Sequence, residues 1–139
     1  LRKIVKINSN NIEKEMILFV QEWFDLISDG KINEACNIID QPNCYGIKWT
    51  PEKVQETILN EFGQETVFGA QNTDGFFFSK VKETNGSYRA DVLKFDDESG
   101  YSVEHDVPLN GKWSDLTAQF EFIGKPPLFE FILHDFHVL

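Results

Sequence analysis

Three histidines, His105, His134 and His137, are the side chains of this sequence best suited to moving protons near neutral pH. His105 stands in an alternating stretch where Tyr101, Val103, Val107 and Leu109 share its parity, so a strand there turns it toward an apolar interior. An enclosed imidazole beside a substrate is a general acid–base candidate, and His105 is the first catalytic candidate. The plainer reading, a hydrogen-bonded histidine of the core or its rim, is the one the sequence favours. His134, Asp135 and His137 form a second cluster. In a regular strand Asp135 and His137 share a face with Phe131 and Leu133, making a candidate catalytic pair in a pocket. His134 and His137 then face opposite sides and cannot jointly hold a metal. The competing register turns Ile132, His134, Phe136 and Val138 inward. Both faces are apolar enough that the two registers stay open, and structural or surface roles are the plainer expectation.

Other residues could shape a ligand pocket. Asp115 follows Trp113 and Ser114 just past a turn and is a candidate for a pocket mouth, with a turn hydrogen bond as the plainer use. Trp23, Tyr45, Trp49, Tyr101 and Trp113 are candidate walls of a cavity, though large aromatics at such positions more often pack a core. Asp96, Asp97 and Glu98 lack the ligand spacing of a calcium loop and read as a solvated turn. No nucleophile elbow surrounds a serine, and no glycine-rich phosphate loop occurs. Cys36 and Cys44 match no zinc or redox spacing, and both thiols are expected to be reduced, Cys36 as a small core residue. The sequence therefore implies no metal site and no cofactor.

The elements that must position these residues fall into two halves. Asn10 with Glu13 resembles a capping box, and Ile12, Met16, Phe19, Val20, Trp23, Leu26 and Ile27 then recur at helical spacing until Asp29-Gly30. A shorter helix over 31–39 carries Ile32, Ala35, Cys36 and Ile39 and is broken by Gln41-Pro42-Asn43. Thr50-Pro51-Glu52 then opens a third helix with Val54, Ile58, Leu59 and Phe62 on one side and Gly63 at its end. Beyond it the period changes to two. Residues 76–81 and 88–95 read as strands joined by an Asn85-Gly86 hairpin. Strands over 101–109, 115–122 and 128–139 follow, separated by Asn110-Gly111 and by a turn over 124–127. The whole is one expected α+β domain over 1–139, two long helices and a short one packed on a curved, mostly antiparallel sheet that forms a cone.

Charge narrows the function classes. The 139 residues hold 13 Lys and Arg against 23 Asp and Glu, a formal net charge of −10. Nucleic-acid binding draws on cations meeting phosphates, and docking on anionic lipid has the same need, so neither partner is expected. A basic protein partner or a small ligand is the better match, with solubility alone as the plain alternative. The longest apolar run, residues 16–20, is far too short for a bilayer, and no leader pattern is read, so a cytoplasmic setting is expected. The sequence begins at Leu1 and not at a methionine, which leaves an upstream segment open.

This order of elements resembles the nuclear transport factor 2-like superfamily, also called cystatin-like or SnoaL-like. The likeness is carried most specifically by Phe19-Val20-Gln21-Glu22-Trp23 and by Asp29-Gly30-Lys31-Ile32-Asn33-Glu34-Ala35. Trp113-Ser114-Asp115-Leu116-Thr117 and Asp135-Phe136-His137-Val138-Leu139 resemble a bacterial subgroup within it. The resemblance implies a cone of curved sheet around helices, and homodimerisation through the sheet's outer face. It implies no reaction, because the superfamily includes isomerases, dehydratases, carriers, scaffolds and immunity proteins. Two readings follow. The first is a non-enzymatic interaction module, an immunity-type inhibitor of a basic toxin being its sharpest form. The second is a pocket protein that binds or transforms a small apolar ligand, with His105, Asp135 and His137 converging inside.

Overall fold

The computed structural model describes residues 4–8, 10–39, 42–43, 45–64 and 76–138. In chain order its elements are β1 (Val5–Lys6), α1 (Ile12–Ser28), α2 (Ile32–Ile38), α3 (Pro51–Gln64), β2 (Ala90–Lys94), β3 (Gly100–Leu109), β4 (Lys112–Lys125) and β5 (Leu128–Val138). The strands pair antiparallel in the order β1-β5-β4-β3-β2. Two long helices and a short one thus pack against a curved five-stranded sheet, the α+β arrangement the sequence implies. The tiny β1, which pairs Val5 with Phe129 at the sheet's edge, has no periodicity in the sequence to announce it. Gln41 and Cys44 lie outside the described residues.

The helices begin and end where local chemistry dictates, with two corrections, one being that α3 runs through Gly63 to Gln64 and does not stop at the glycine. Asn10 does not cap α1: Asn11 holds the N-cap in a left-handed conformation (φ 60°), with no side-chain cap bond. Asparagine tolerates that conformation better than most residues, and the turn it makes starts the helix two residues after Asn10. At the other end Gly30 (φ 82°) donates to Ile27 O and Lys31 donates to Leu26 O, the paired bonds of a Schellman stop. Thr50 caps α3 as expected, its Oγ accepting from Lys53 N–H at 3.1 Å. Met16, Val20, Trp23 and Phe24 of α1 and Val54 and Ile58 of α3 are the buried helical faces. They meet Phe120, Phe122, Phe129, Phe131 and Leu133 of the sheet, all buried. The Phe120 and Phe131 rings stack at 4.9 Å, and Phe19 of α1 sets its edge on Phe131 at 4.8 Å. Aromatic rings therefore fill this part of the space between helices and sheet.

The two Asn-Gly pairs behave differently. Asn110 (φ 58°) and Gly111 (φ 85°) form the expected two-residue hairpin between β3 and β4. Asn85-Gly86 forms none, and residues 76–81 are not a ladder strand. Phe78 only bridges Leu109, Asn85 bridges Lys112 in parallel, and Val81–Glu83 is a 3₁₀ turn. The segment is instead tied to the β3–β4 turn and to α1. Phe77 N–H donates to Asn110 Oδ1, Ser79 N–H to Pro108 O, Gly111 N–H to Ser79 Oγ and Val81 N–H to Asp25 Oδ1. These partners are remote in sequence, so the local hairpin signal loses to them.

Neither register expected for the last strand is right throughout, because β5 carries a bulge. Phe120 pairs with Leu133 but Gln119 pairs with Asp135, so His134 is an extra residue. The insertion switches parity: Phe131 and Leu133 face the core before it, and Phe136 faces the core after it. Asp135 and His137 are thereby turned to the opposite, outer face. Two donors hold the bulge in place. Trp49 Nε1 donates to Leu133 O at 2.7 Å and Asn43 Nδ2 donates to His134 O at 2.8 Å.

Candidate functional site

His105 lies on the inner face of β3, fully enclosed. Its Nδ1 is 2.7 Å from the carbonyl of Asp106, which can only accept, so Nδ1 carries the proton. Nε2 is then the bare acceptor, and it takes a hydrogen bond from the Gln21 amide at 3.0 Å. Tyr88 stacks on the ring at 4.8 Å, and Phe24 and Trp113 close around it at 5.4 and 5.5 Å. Burial pushes the imidazole pKa below its ordinary value, partly offset by the Asp106 carbonyl and carboxylate. A neutral histidine with both nitrogens occupied and both faces covered has no lone pair or proton to offer a substrate. The bond to Asp106 O also rewires the ladder beside it. Arg89 N–H donates to Asp106 Oδ2 at 2.7 Å, while Asp106 N–H still donates to Arg89 O at 3.0 Å.

The other two catalytic candidates do not join His105, since the bulge places Asp135 and His137 on the far side of the sheet. They do meet each other: His137 Nδ1 lies 2.8 Å from Asp135 Oδ1, and its Nε2 lies 3.8 Å from Glu104 Oε2. The pair is part of a polar outer face with a strict cross-strand order. Asp91 stands opposite Glu104, Glu104 opposite Gln119, and Gln119 opposite Asp135. The neighbouring row is Asp106, Thr117 and His137, and on the other side come Leu93, Ser102, Glu121 and Ile132. Parity puts the carboxylates of Asp91, Glu104, Asp106, Glu121, Glu130 and Asp135 on this one face. Arg89 is one cation among them, with Nη2 3.4 Å from Thr117 Oγ1 and Nε 3.9 Å from Asp91, and parity puts Lys125 of β4 on the same face. Acids directly across from one another, as Asp91 and Glu104 are, repel and cost stability. A face that none of the described helices covers thus carries an acidic row held in fixed register by four strands.

The pocket candidates are dispersed. Trp23 is buried, donates Nε1 to Ala35 O at 2.9 Å and sets its edge on Phe120, tying α1 to α2. Trp49 is buried at the bulge against Phe136. Tyr101 is half-buried against Phe129, and Trp113 packs on Tyr88. Tyr45 is largely exposed, leaning on His134 at 5.3 Å. Asp115 is exposed where a second irregularity of β4, held by Ser114 Oγ donating to Val107 O at 2.7 Å, lifts it to the rim. There it lines an open cleft of about 300 Å³ with Arg89, Asp106, Ser114 and Val138. Another open cleft, about 230 Å³, is apolar and runs between α1, α2, α3 and Phe76–Phe78. His105 lines neither.

Three residues of consequence escape a reading by residue type. Gln21 was detectable, because it falls one turn before Phe24 on the buried stripe of α1 and a buried amide needs a partner. Asn43 was hidden inside a helix-breaking tripeptide, yet it is buried and its Oδ1 accepts from both Tyr45 N–H and Ile47 N–H. Glu104 had no signal of its own. Cys36 is a free, buried thiol whose pKa is pushed up to about 11 by burial and by the charge of Glu52, so it is no nucleophile. Among the described residues no group of His, Cys, Asp and Glu is arranged to hold a metal ion, and no helix is long and apolar enough to cross a membrane. No family model, curated protein or solved structure matches the chain.

Proposed function

We propose that this chain is a protein-interaction module that presents the acidic outer face of its sheet to a basic partner, in its sharpest form an immunity-type inhibitor of a basic toxin. The observation that carries the reading is the row Asp91, Glu104, Gln119, Asp135, which the strand register holds in line on a solvent-facing surface. Like charges kept opposite one another at a cost in stability are readily understood when a partner's cations relieve them. The formal charge of −10 adds a long-range field that raises the rate of encounter with a cation-rich surface. The element order resembling the nuclear transport factor 2-like superfamily fits the same reading, since that superfamily includes immunity proteins. Homodimerisation through this face, the other expectation from the resemblance, fits poorly, because two copies would bring acidic rows together.

The pocket reading keeps less support. Its acid–base residue, His105, has both nitrogens engaged, and Asp135 and His137 lie on the other side of the sheet. The test is a titration with a lysine-rich peptide at low salt, followed by backbone amide chemical shifts. The reading expects shifts along Asp91, Glu104, Gln119 and Asp135 that vanish as salt is raised. Shifts confined to α1, α2 and α3, or none at low salt, would sink it.

A further inference from the structure

The backbone of β2 offers a more specific contact. Two bonds fix its phase: Phe95 N–H donates to Gly100 O at 2.9 Å and Asp106 N–H donates to Arg89 O at 3.0 Å. In an antiparallel pair such bonds recur every second residue, so Asp91 and Leu93 spend their amides and carbonyls on β3. The N–H and C=O groups of Ala90, Val92 and Lys94 therefore point away from the sheet, and among the described residues nothing pairs with them. The opposite edge is different: β1 covers Leu128 and Phe129, and Asn43 and Trp49 cap the carbonyls of the bulge. The described sheet is thus open for strand addition at β2, whose five residues are too short for indiscriminate pairing but long enough for a guided one.

The outer face says what would add. The side chains of Asp91 and Leu93 project there from β2, and Leu93 is 65% exposed. In a ladder extended by one strand, the residues across from them are two apart on the incoming chain. We propose that β2 receives an extended segment of a partner protein, adding a sixth strand to the described sheet, with a Lys or Arg opposite Asp91 and an apolar side chain beside Leu93. The incoming cation would extend the row Asp91, Glu104, Gln119, Asp135 with the opposite charge and offset the repulsion between its acids. Main-chain bonds supply affinity and the two side chains supply choice. This rests on the interaction reading above and narrows it from a face to an edge and from a basic partner to an apolar–x–basic strand added antiparallel to β2.

The experiment uses the full chain and a labelled peptide, Lys-Thr-Lys-Thr-Leu-Thr-Lys, with binding read by fluorescence anisotropy at low and high salt. In the proposed register the Thr amides face β2 and the Lys and Leu amides face away. N-methylation of the Thr amides is expected to weaken binding by roughly tenfold or more, and N-methylation of the Lys and Leu amides to leave it nearly unchanged. Val92→Pro, which removes one outward N–H without touching a bond to β3, is expected to act like the first modification. Salt-sensitive binding that ignores the position of methylation would overturn the strand addition and leave the acidic-face reading standing. No binding of any peptide at low salt would overturn both. A dimer in sedimentation that Val92→Pro dissociates would mean the edge pairs with its own copy, and that too would overturn the proposal.

Discussion

Gln21 on α1 and His105 on β3 meet nitrogen to nitrogen at 3.0 Å, and in this orientation the amide donates to the bare Nε2 of a neutral imidazole. The Asp106 carbonyl takes the one ring proton, so a second proton on Nε2 would face an amide donor. The pair is therefore a structural link between helix and sheet with a built-in pH dependence.

The sign of that dependence follows from the pKa shift. Burial holds the folded pKa of His105 below its ordinary 6.5. As pH falls through 6.5 the unfolded chain takes up a proton that the folded chain refuses, so stability drops. Urea unfolding of the protein and of His105→Gln at pH 8 and pH 5.5 is expected to show a larger loss at low pH for the parent. Equal losses would remove His105 as the cause.

Asn43 is a second buried polar link. It donates to the bulge at His134 O and accepts from two backbone amides in its own loop. Asn43→Ala strands those groups and is expected to cost about 2 kcal/mol in chemical denaturation. A loss below about 0.5 kcal/mol would show that water replaces the side chain and that the bulge holds itself.

The acidic row makes the opposite kind of prediction. Glu104 faces Asp91 directly and Asp135 from across Gln119, so Glu104→Gln removes repulsion and is expected to stabilise the fold by a few tenths of a kcal/mol. The same variant is expected to bind a basic peptide more weakly. A gain of stability at the expense of binding is the pattern of a functional surface. Loss of both would make Glu104 a structural residue.

The sequence makes the helices and most strand boundaries legible because their signals are local: Thr50 before Pro51, Gly30 after α1, the alternation around His105. The inward position of His105 follows from parity alone. Parity also explains the failure at Asp135 and His137. A single inserted residue, His134, reverses the face of everything after it, and what fixes the bulge is Trp49 and Asn43, more than eighty residues earlier. Asn85-Gly86 fails for the same reason, since Asn110 and Asp25 claim the preceding backbone from a distance. The acidic row was visible only as net charge, because its alignment depends on the pairing of four strands.

The most direct measurement compares two charge reversals of equal size on the same chain. Asp91→Lys with Asp135→Lys alters the sheet's outer face, and Glu13→Lys with Glu56→Lys alters exposed positions on α1 and α3. Both change the net charge by the same amount, so long-range attraction to a basic peptide is weakened alike. The account predicts that affinity falls by roughly tenfold or more for the sheet pair and only slightly for the helix pair. Equal losses would mean that overall charge alone holds the peptide, and the outer face of the sheet would not be a binding surface.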